Sequence, residues 1–122
     1  MAKILSVDDS RVIREMLKTI LENQGHEVLT AEDGMEAMKV ARRERVDMVF
    51  SDINMPNMNG ISLVSKLRRL EHYADIPILM LTTETASYKK TKSKNMGANG
   101  WIQKPLQPEN IVKAVNTMLK GG

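Results

Sequence analysis

Asp8, Asp9, Asp52, Thr82 and Lys104 carry side chains suited to one piece of chemistry. Three carboxylates brought together repel one another, and without a countercharge at least one would hold its proton above the ordinary carboxylate range. A divalent cation removes that conflict. Oxygen-only ligands with water completing the shell suit Mg²⁺, which commonly takes one or two carboxylates together with a phosphate. Lys104 adds a fixed positive charge and Thr82 a hydroxyl donor. Such a set would stabilise the equatorial oxygens of a phosphoryl group in transfer, with an aspartate oxygen attacking in line as nucleophile. Each residue also has an ordinary explanation when taken singly: Asp8 and Asp9 as helix caps, Asp52 as a turn former, Thr82 as a strand end, Lys104 as a solvated loop residue. Chemistry follows only if they meet.

The elements that would bring them together are legible in the hydropathy pattern. From Val46 to Gly60 an apolar run, Met48-Val49-Phe50, leads into Asp52 and then into Pro56, Asn57, Asn59 and Gly60, which end it. Its lack of alternation is that of a central strand covered on both faces. Lys3 to Val7 predicts a first strand, interrupted by Asp8-Asp9-Ser10. Beyond it Val12, Ile13, Met16, Leu17, Ile20 and Leu21 recur at helical spacing and predict one apolar stripe, capped by Asp9 or Ser10 and closed by Gly25. His26 to Ala31 predicts a strand with Glu32-Asp33-Gly34 as its turn, and Met35 to Glu44 a helix. After Gly60 another helix carries Ile61, Val64, Leu67 and Leu70. Ile78 to Leu81, introduced by Pro77 and closing in Thr82-Thr83, and Trp101 to Gln103, followed by Lys104-Pro105, predict two more short strands. A loosely held helix is expected over Ser87 to Met96, where only Tyr88 and Met96 offer much apolar surface. A final helix has Pro108 in its first turn and Ile111, Val112, Val115, Met118 and Leu119 on one stripe.

Strands alternating with helices predict an α/β protein with a five-stranded parallel sheet covered on both faces by five helices, because right-handed crossovers lay each helix against the sheet. All carboxyl ends of the strands then share one edge, where open α/β folds place their chemistry. Asp8 and Asp9 follow the first strand, Asp52 ends the third, Thr82 follows the fourth and Lys104 the fifth. Residues scattered over the chain thus converge on one cleft.

Composition narrows the classes further. The length of 122 residues suits one domain, taken as 1–122, without repeat, linker or low-complexity segment. With no cysteine there is no disulfide, thiolate metal site or cysteine nucleophile, and a reducing cytoplasm is the expected compartment. No apolar run approaches the ~20 residues needed to cross a bilayer, and no signal-peptide core follows Met1. The net charge is +3, and four lysines fall between Lys89 and Lys94. They are expected to form a solvated helix face and not a nucleic-acid site, which would interleave basic residues with aromatics or present a reading helix.

Asp8-Asp9-Ser, Asp52 within Ser-Asp-Ile-Asn-Met-Pro-x-Met-x-Gly, Thr82 closing Pro-Ile-Leu-Met-Leu-Thr, and Gly97-Ala-x-Gly-Trp-Ile-x-Lys104-Pro105 resemble the receiver domain of two-component response regulators. The resemblance covers essentially the whole chain. Among receivers the chain is most similar to stand-alone chemotaxis regulators of the CheY kind, which implies a flavodoxin-like (βα)5 fold with strand order 2-1-3-4-5. It further implies that Asp52 accepts phosphate from a histidine kinase with Mg²⁺ as cofactor. Asp9, Asp52 and the backbone carbonyl of Asn54 would hold the ion, Asp8 would act through water, and Lys104 and Thr82 would contact the phosphoryl group. A cis peptide before Pro105 is implied, as are switch roles for Thr82 and Trp101 and tuning of dephosphorylation by Asn54 and Glu84. The expected partners are the kinase, a phosphatase and a downstream target such as the flagellar motor switch. The protein itself is expected to be a monomer and a free-standing switch, the alternative being a receiver domain or single-domain regulator of a non-chemotaxis pathway. It would be a switch and not a turnover enzyme, catalysing only its own phosphorylation and dephosphorylation. Trp101 stands where Tyr or Phe is usual in the family. It lacks the phenol hydroxyl and is larger, which weakens the expectation of an inward swing on activation.

Two other classes fit less well. Aspartyl-nucleophile hydrolases resemble this pattern, but they place a second Asp two residues beyond the first, where this chain has Asn54. A flavin-binding carrier of the same sheet order would have a Ser-, Thr- and Gly-rich loop after the first strand, and Asp8-Asp9 would repel its phosphate.

Overall fold

The computed structural model describes residues 1–55, 57–83, 91, 92 and 94–120. In chain order the elements are β1 (Lys3–Val7), α1 (Arg11–Asn23), β2 (Glu27–Ala31), α2 (Gly34–Arg43), β3 (Met48–Asp52), α3 (Gly60–Arg68), a 3₁₀ turn (Glu71–Tyr73), β4 (Ile78–Thr82), β5 (Gly100–Gln103) and α4 (Pro108–Lys120). All strand pairs are parallel and the order is β2-β1-β3-β4-β5, as the resemblance implies. Glu84 and Tyr88, with most of the helix expected over Ser87 to Met96, lie outside the described residues. Residues 91, 92, 94 and 95 are helical.

The central strands read as unbroken apolar runs because both of their faces are covered. Val49, Ile78 and Met80 pack with Leu5 and Val7 against α2 and α3, joining Ala37, Met38, Leu63, Val64 and Leu67. Their neighbours Met48, Phe50, Leu79 and Leu81 turn the other way with Ile4, and meet Leu17 and Leu21 of α1 and Ile111 and Val115 of α4. Two apolar layers on one sheet fix the strands in place, since a one-residue slip would exchange the two sets.

The stripe expected on α1 is narrower than its spacing suggested. Leu17 and Leu21 are buried and Ile13 and Ile20 pack beside them, but Val12 is 70% exposed and Met16 37% exposed. Helical spacing places them at the margin of the apolar stripe, and α1 meets the sheet along its centre. On α3 the buried line is Gly60, Leu63, Val64 and Leu67, with Ile61 only partly covered. Leu70, expected on that helix, instead precedes the 3₁₀ turn that buries Tyr73.

Candidate functional site

Three helices that start at the carboxyl edge, α1, α2 and α3, have a side-chain cap there. The Ile13 amide donates to Ser10 Oγ at 3.3 Å, the Glu36 amide to Asp33 Oδ1 at 2.8 Å and the Ser62 amide to Asn59 Oδ1 at 2.9 Å. Ser10, not Asp9, therefore caps α1, which leaves both carboxylates of the first loop for other work. The Asp8 backbone is fixed from two sides: its amide donates to the Ala31 carbonyl at 3.1 Å, and its carbonyl accepts from Arg14 Nη1 at 2.7 Å. Its side chain accepts from the Ser10 amide at 2.9 Å.

Asp8 and Asp52 are buried and Asp9 is exposed, and one carboxylate oxygen from each lies within 4.8 Å of the others. Lys104 enters from the end of β5. Its Nζ donates to Asp8 Oδ2 at 2.9 Å and stands 3.5 Å from Asp52 Oδ1. The Lys104 amide donates to the Thr82 carbonyl at 2.8 Å, so the ends of β4 and β5 reach the cleft together. Thr82 is fully buried, and the peptide between Lys104 and Pro105 is cis.

Three carboxylates against one ammonium leave the cluster electrostatically frustrated. Burial, and then the neighbouring Asp8, pushes the Asp52 carboxyl up to about 6, against the opposing influence of Lys104 and the Asn54 backbone N–H. For Lys104 burial works against its charge, but the hydrogen bond and charge of Asp8, with Asp52 behind it, outweigh that and hold the ammonium above its ordinary range. The donors facing one another are all oxygens, two buried and one at the mouth. That set fits a hard divalent cation with a partly aqueous shell.

The structure thus brings Asp8, Asp9, Asp52 and Lys104 into one cluster, and ties the buried Thr82 to Lys104 through its backbone carbonyl. Asn54 is exposed, and its backbone N–H bonds the Asp52 carboxylate, a contact that only the folded loop creates. Trp101, 41% exposed, lies on the edge strand β5 opposite Met80 in the register. Sequence reasoning passed over Gly60, which it took only as a strand breaker. A Cβ there would lie 2.1 Å from the Asp52 carbonyl oxygen and 2.7 Å from Met80 Cε, so only glycine lets α3 start this close beneath the acid. The Gly60 amide donates to the Ile53 carbonyl at 2.8 Å and locks that approach.

An acid cluster and a lysine at the carboxyl edge of a 2-1-3-4-5 parallel sheet define a receiver. The chain belongs to the response regulator receiver domain family, whose model matches residues 4–116. It is 37% identical over 121 residues to Protein PilH of Pseudomonas aeruginosa, covering 99% of this chain and 100% of that one. It is 38% identical over 122 residues to the chemotaxis protein CheY homolog of Campylobacter jejuni, covering 98% and 94%. Among solved structures it is similar to the chemotaxis response regulator CheY4 of Vibrio cholerae, with 47% identity, a TM-score of 0.93 and coverage of 98% of this chain and 99% of that one. The chain is thus a CheY-like receiver domain of two-component signalling. Among the described residues no helix is long and apolar enough to cross a membrane.

Proposed function

We propose that this receiver, residues 1–122, is a phosphorylation-dependent switch whose acceptor is Asp52. The observation that carries this reading is the placement of Lys104 Nζ 2.9 Å from Asp8 and 3.5 Å from Asp52, with Asp9 completing the carboxylate cluster. Asp52, ionised above about pH 6, is the nucleophile. Its carboxylate oxygen forms the new bond to phosphorus as the P–N bond of a kinase phosphohistidine breaks, and the imidazole nitrogen keeps the electron pair and takes up a proton. Lys104 accompanies the incoming charge and Thr82 offers its hydroxyl to the transferred oxygens. Asp9, Asp52 and the Asn54 carbonyl are the residues to hold Mg²⁺, with Asp8 bound through water. When present the ion neutralises the carboxylates and the phosphoryl oxygens.

The added charge of about −1.5 to −2 draws on Lys104 and Thr82, and the surface carrying Trp101 reports the change to a partner. Asn54 and Glu84 set how fast the phosphoryl group is lost. The names of the CheY relatives support a chemotaxis pathway; within this reading the target is the flagellar motor switch, a phosphatase ends the signal, and the working form is a cytoplasmic monomer. Incubation with a small phosphodonor and Mg²⁺ tests the core of this. Wild type should gain one phosphoryl group, and Asp52→Asn or wild type in chelator should gain none. Full labelling of the variant would overturn the assignment.

A further inference from the structure

The loop after β3 is held from outside as well as from below. Asn57 adopts a left-handed backbone (φ 68°), and its Nδ2 donates to Asp33 Oδ2 at 3.1 Å. The other oxygen of the same carboxylate caps α2 through the Glu36 amide at 2.8 Å. One residue further on, Gly34 lies so close to Met58 that a Cβ there would meet the Met58 side chain at 2.8 Å. Asp33 and Gly34 of the turn before α2 thus grip consecutive residues, Asn57 and Met58, of the loop after β3. The two donors to Asp33, the Glu36 amide first and Asn57 second, hold its carboxyl below the usual carboxylate range, as expected of an acid that uses both oxygens.

This loop also carries Asn54, whose N–H bonds the Asp52 carboxylate. Its far end is pinned where the Gly60 amide meets the Ile53 carbonyl. Between those two points the Asn57 side chain ties the loop to the turn before α2 through Asp33. We propose that Asp33 and Asn57 form a positioning clasp that holds the loop after β3 in the shape that keeps Asn54 on Asp52. Asp33 touches neither phosphate nor cation and acts through Asn57. The inference rests on the reading of Asp52 as acceptor only where phosphorylation is measured, since the clasp itself can be tested without ligand.

The substitutions separate capping from clasping. Asp33→Asn keeps a residue that caps helices as well as Asp, but it removes the carboxylate oxygen that Asn57 uses. Asn57→Gly keeps the left-handed backbone and removes the donor without changing charge. Glu36→Gln removes one negative charge from the same end of α2 and leaves the clasp intact. Amide hydrogen exchange at Asn54 is followed in metal-free protein, Mg²⁺ affinity by calorimetry, and labelling by a small phosphodonor at saturating Mg²⁺. We expect Asn54 exchange and the Mg²⁺ Kd each to rise about tenfold in Asp33→Asn and in Asn57→Gly, the range seen when residues supporting a metal site are lost. The double variant should be no worse than either single one, and Glu36→Gln should match wild type. Labelling at saturating Mg²⁺ should survive in all of them. Unchanged Asn54 exchange, additive effects in the double variant, or equal losses in Glu36→Gln would overturn the clasp. A wild type that exchanges as expected but never labels would refute the acceptor assignment and leave the clasp standing.

Discussion

Replacing Asp52 by Asn should stabilise the metal-free protein at neutral pH. The folded state raises the Asp52 carboxyl from 3.8 to about 6 by burial and by the proximity of Asp8. At about 1.4 kcal/mol per unit, that rise corresponds to roughly 3 kcal/mol by which folding disfavours the ionised form. The sign follows from linkage: a group whose pKa is higher in the folded state contributes stability that is present below the unfolded value, near 3.8, and is lost as pH rises through about 6. Asn has the same shape and no charge, so it escapes that loss. It also loses the attraction of Lys104, and a gain of about 1–3 kcal/mol at pH 7 is expected. For a chain of this length that is a rise in Tm of about 4 °C per kcal/mol. Urea unfolding of both proteins in chelator, from pH 4 to 8, is the assay. The gap should be widest above pH 6 and close toward pH 4, and Mg²⁺ should stabilise wild type much more than the variant. A variant no more stable than wild type at pH 7, or a gap independent of pH, would refute the electrostatic account of the cluster.

Other substitutions follow from the same contacts. Lys104→Met leaves the fully buried Asp8 without its ammonium partner, and should lower stability at pH 7 by about 3 kcal/mol in chemical denaturation, more than any exposed lysine does. Gly60→Ala drives a Cβ against the Asp52 carbonyl, which is backbone and cannot rotate away. It should cost about 2–4 kcal/mol and slow labelling at Asp52, whereas Gly25→Ala, with open space around its Cβ but φ +88°, should cost about 1 kcal/mol and leave labelling unchanged. Arg68→Lys loses a planar fork that donates to the carbonyls of Gly97, Tyr73 and Ile76 and to Asn99 Oδ1. A loss of about 2 kcal/mol is expected, with faster amide exchange in the segment leading into β5.

The sequence made the carboxyl edge legible because each chemical residue sits where an apolar run stops. Asp8, Asp52 and Thr82 end runs whose other members need burial on both faces, so a parallel sheet was enough to bring them together. Lys104 followed from the same logic one strand later. Contacts made perpendicular to the sheet were not legible. Nothing in the spacing of Gly60 says that it lies beneath the Asp52 carbonyl, and Arg68, on a polar-looking helix end, gives no sign that it gathers carbonyls from two other segments. Val12 and Met16 fit the helical period as well as Leu17 does, yet they stay exposed, because periodicity defines a face and not how much of it is covered. Asp33 and Asn57 read correctly as turn formers, but that they hold each other depends on the β2–β1–β3 order and on where α2 begins.

The central claim, that Asp52 carries the phosphoryl group, is tested most directly by reducing the labelled protein with borohydride. That reagent converts an aspartyl phosphate to homoserine and leaves a free aspartate unchanged. Mass spectrometry should find the conversion at position 52 alone, dependent on Mg²⁺ during labelling. Conversion at Asp8 or Asp9, or a label that resists reduction and maps to Thr82, would contradict it.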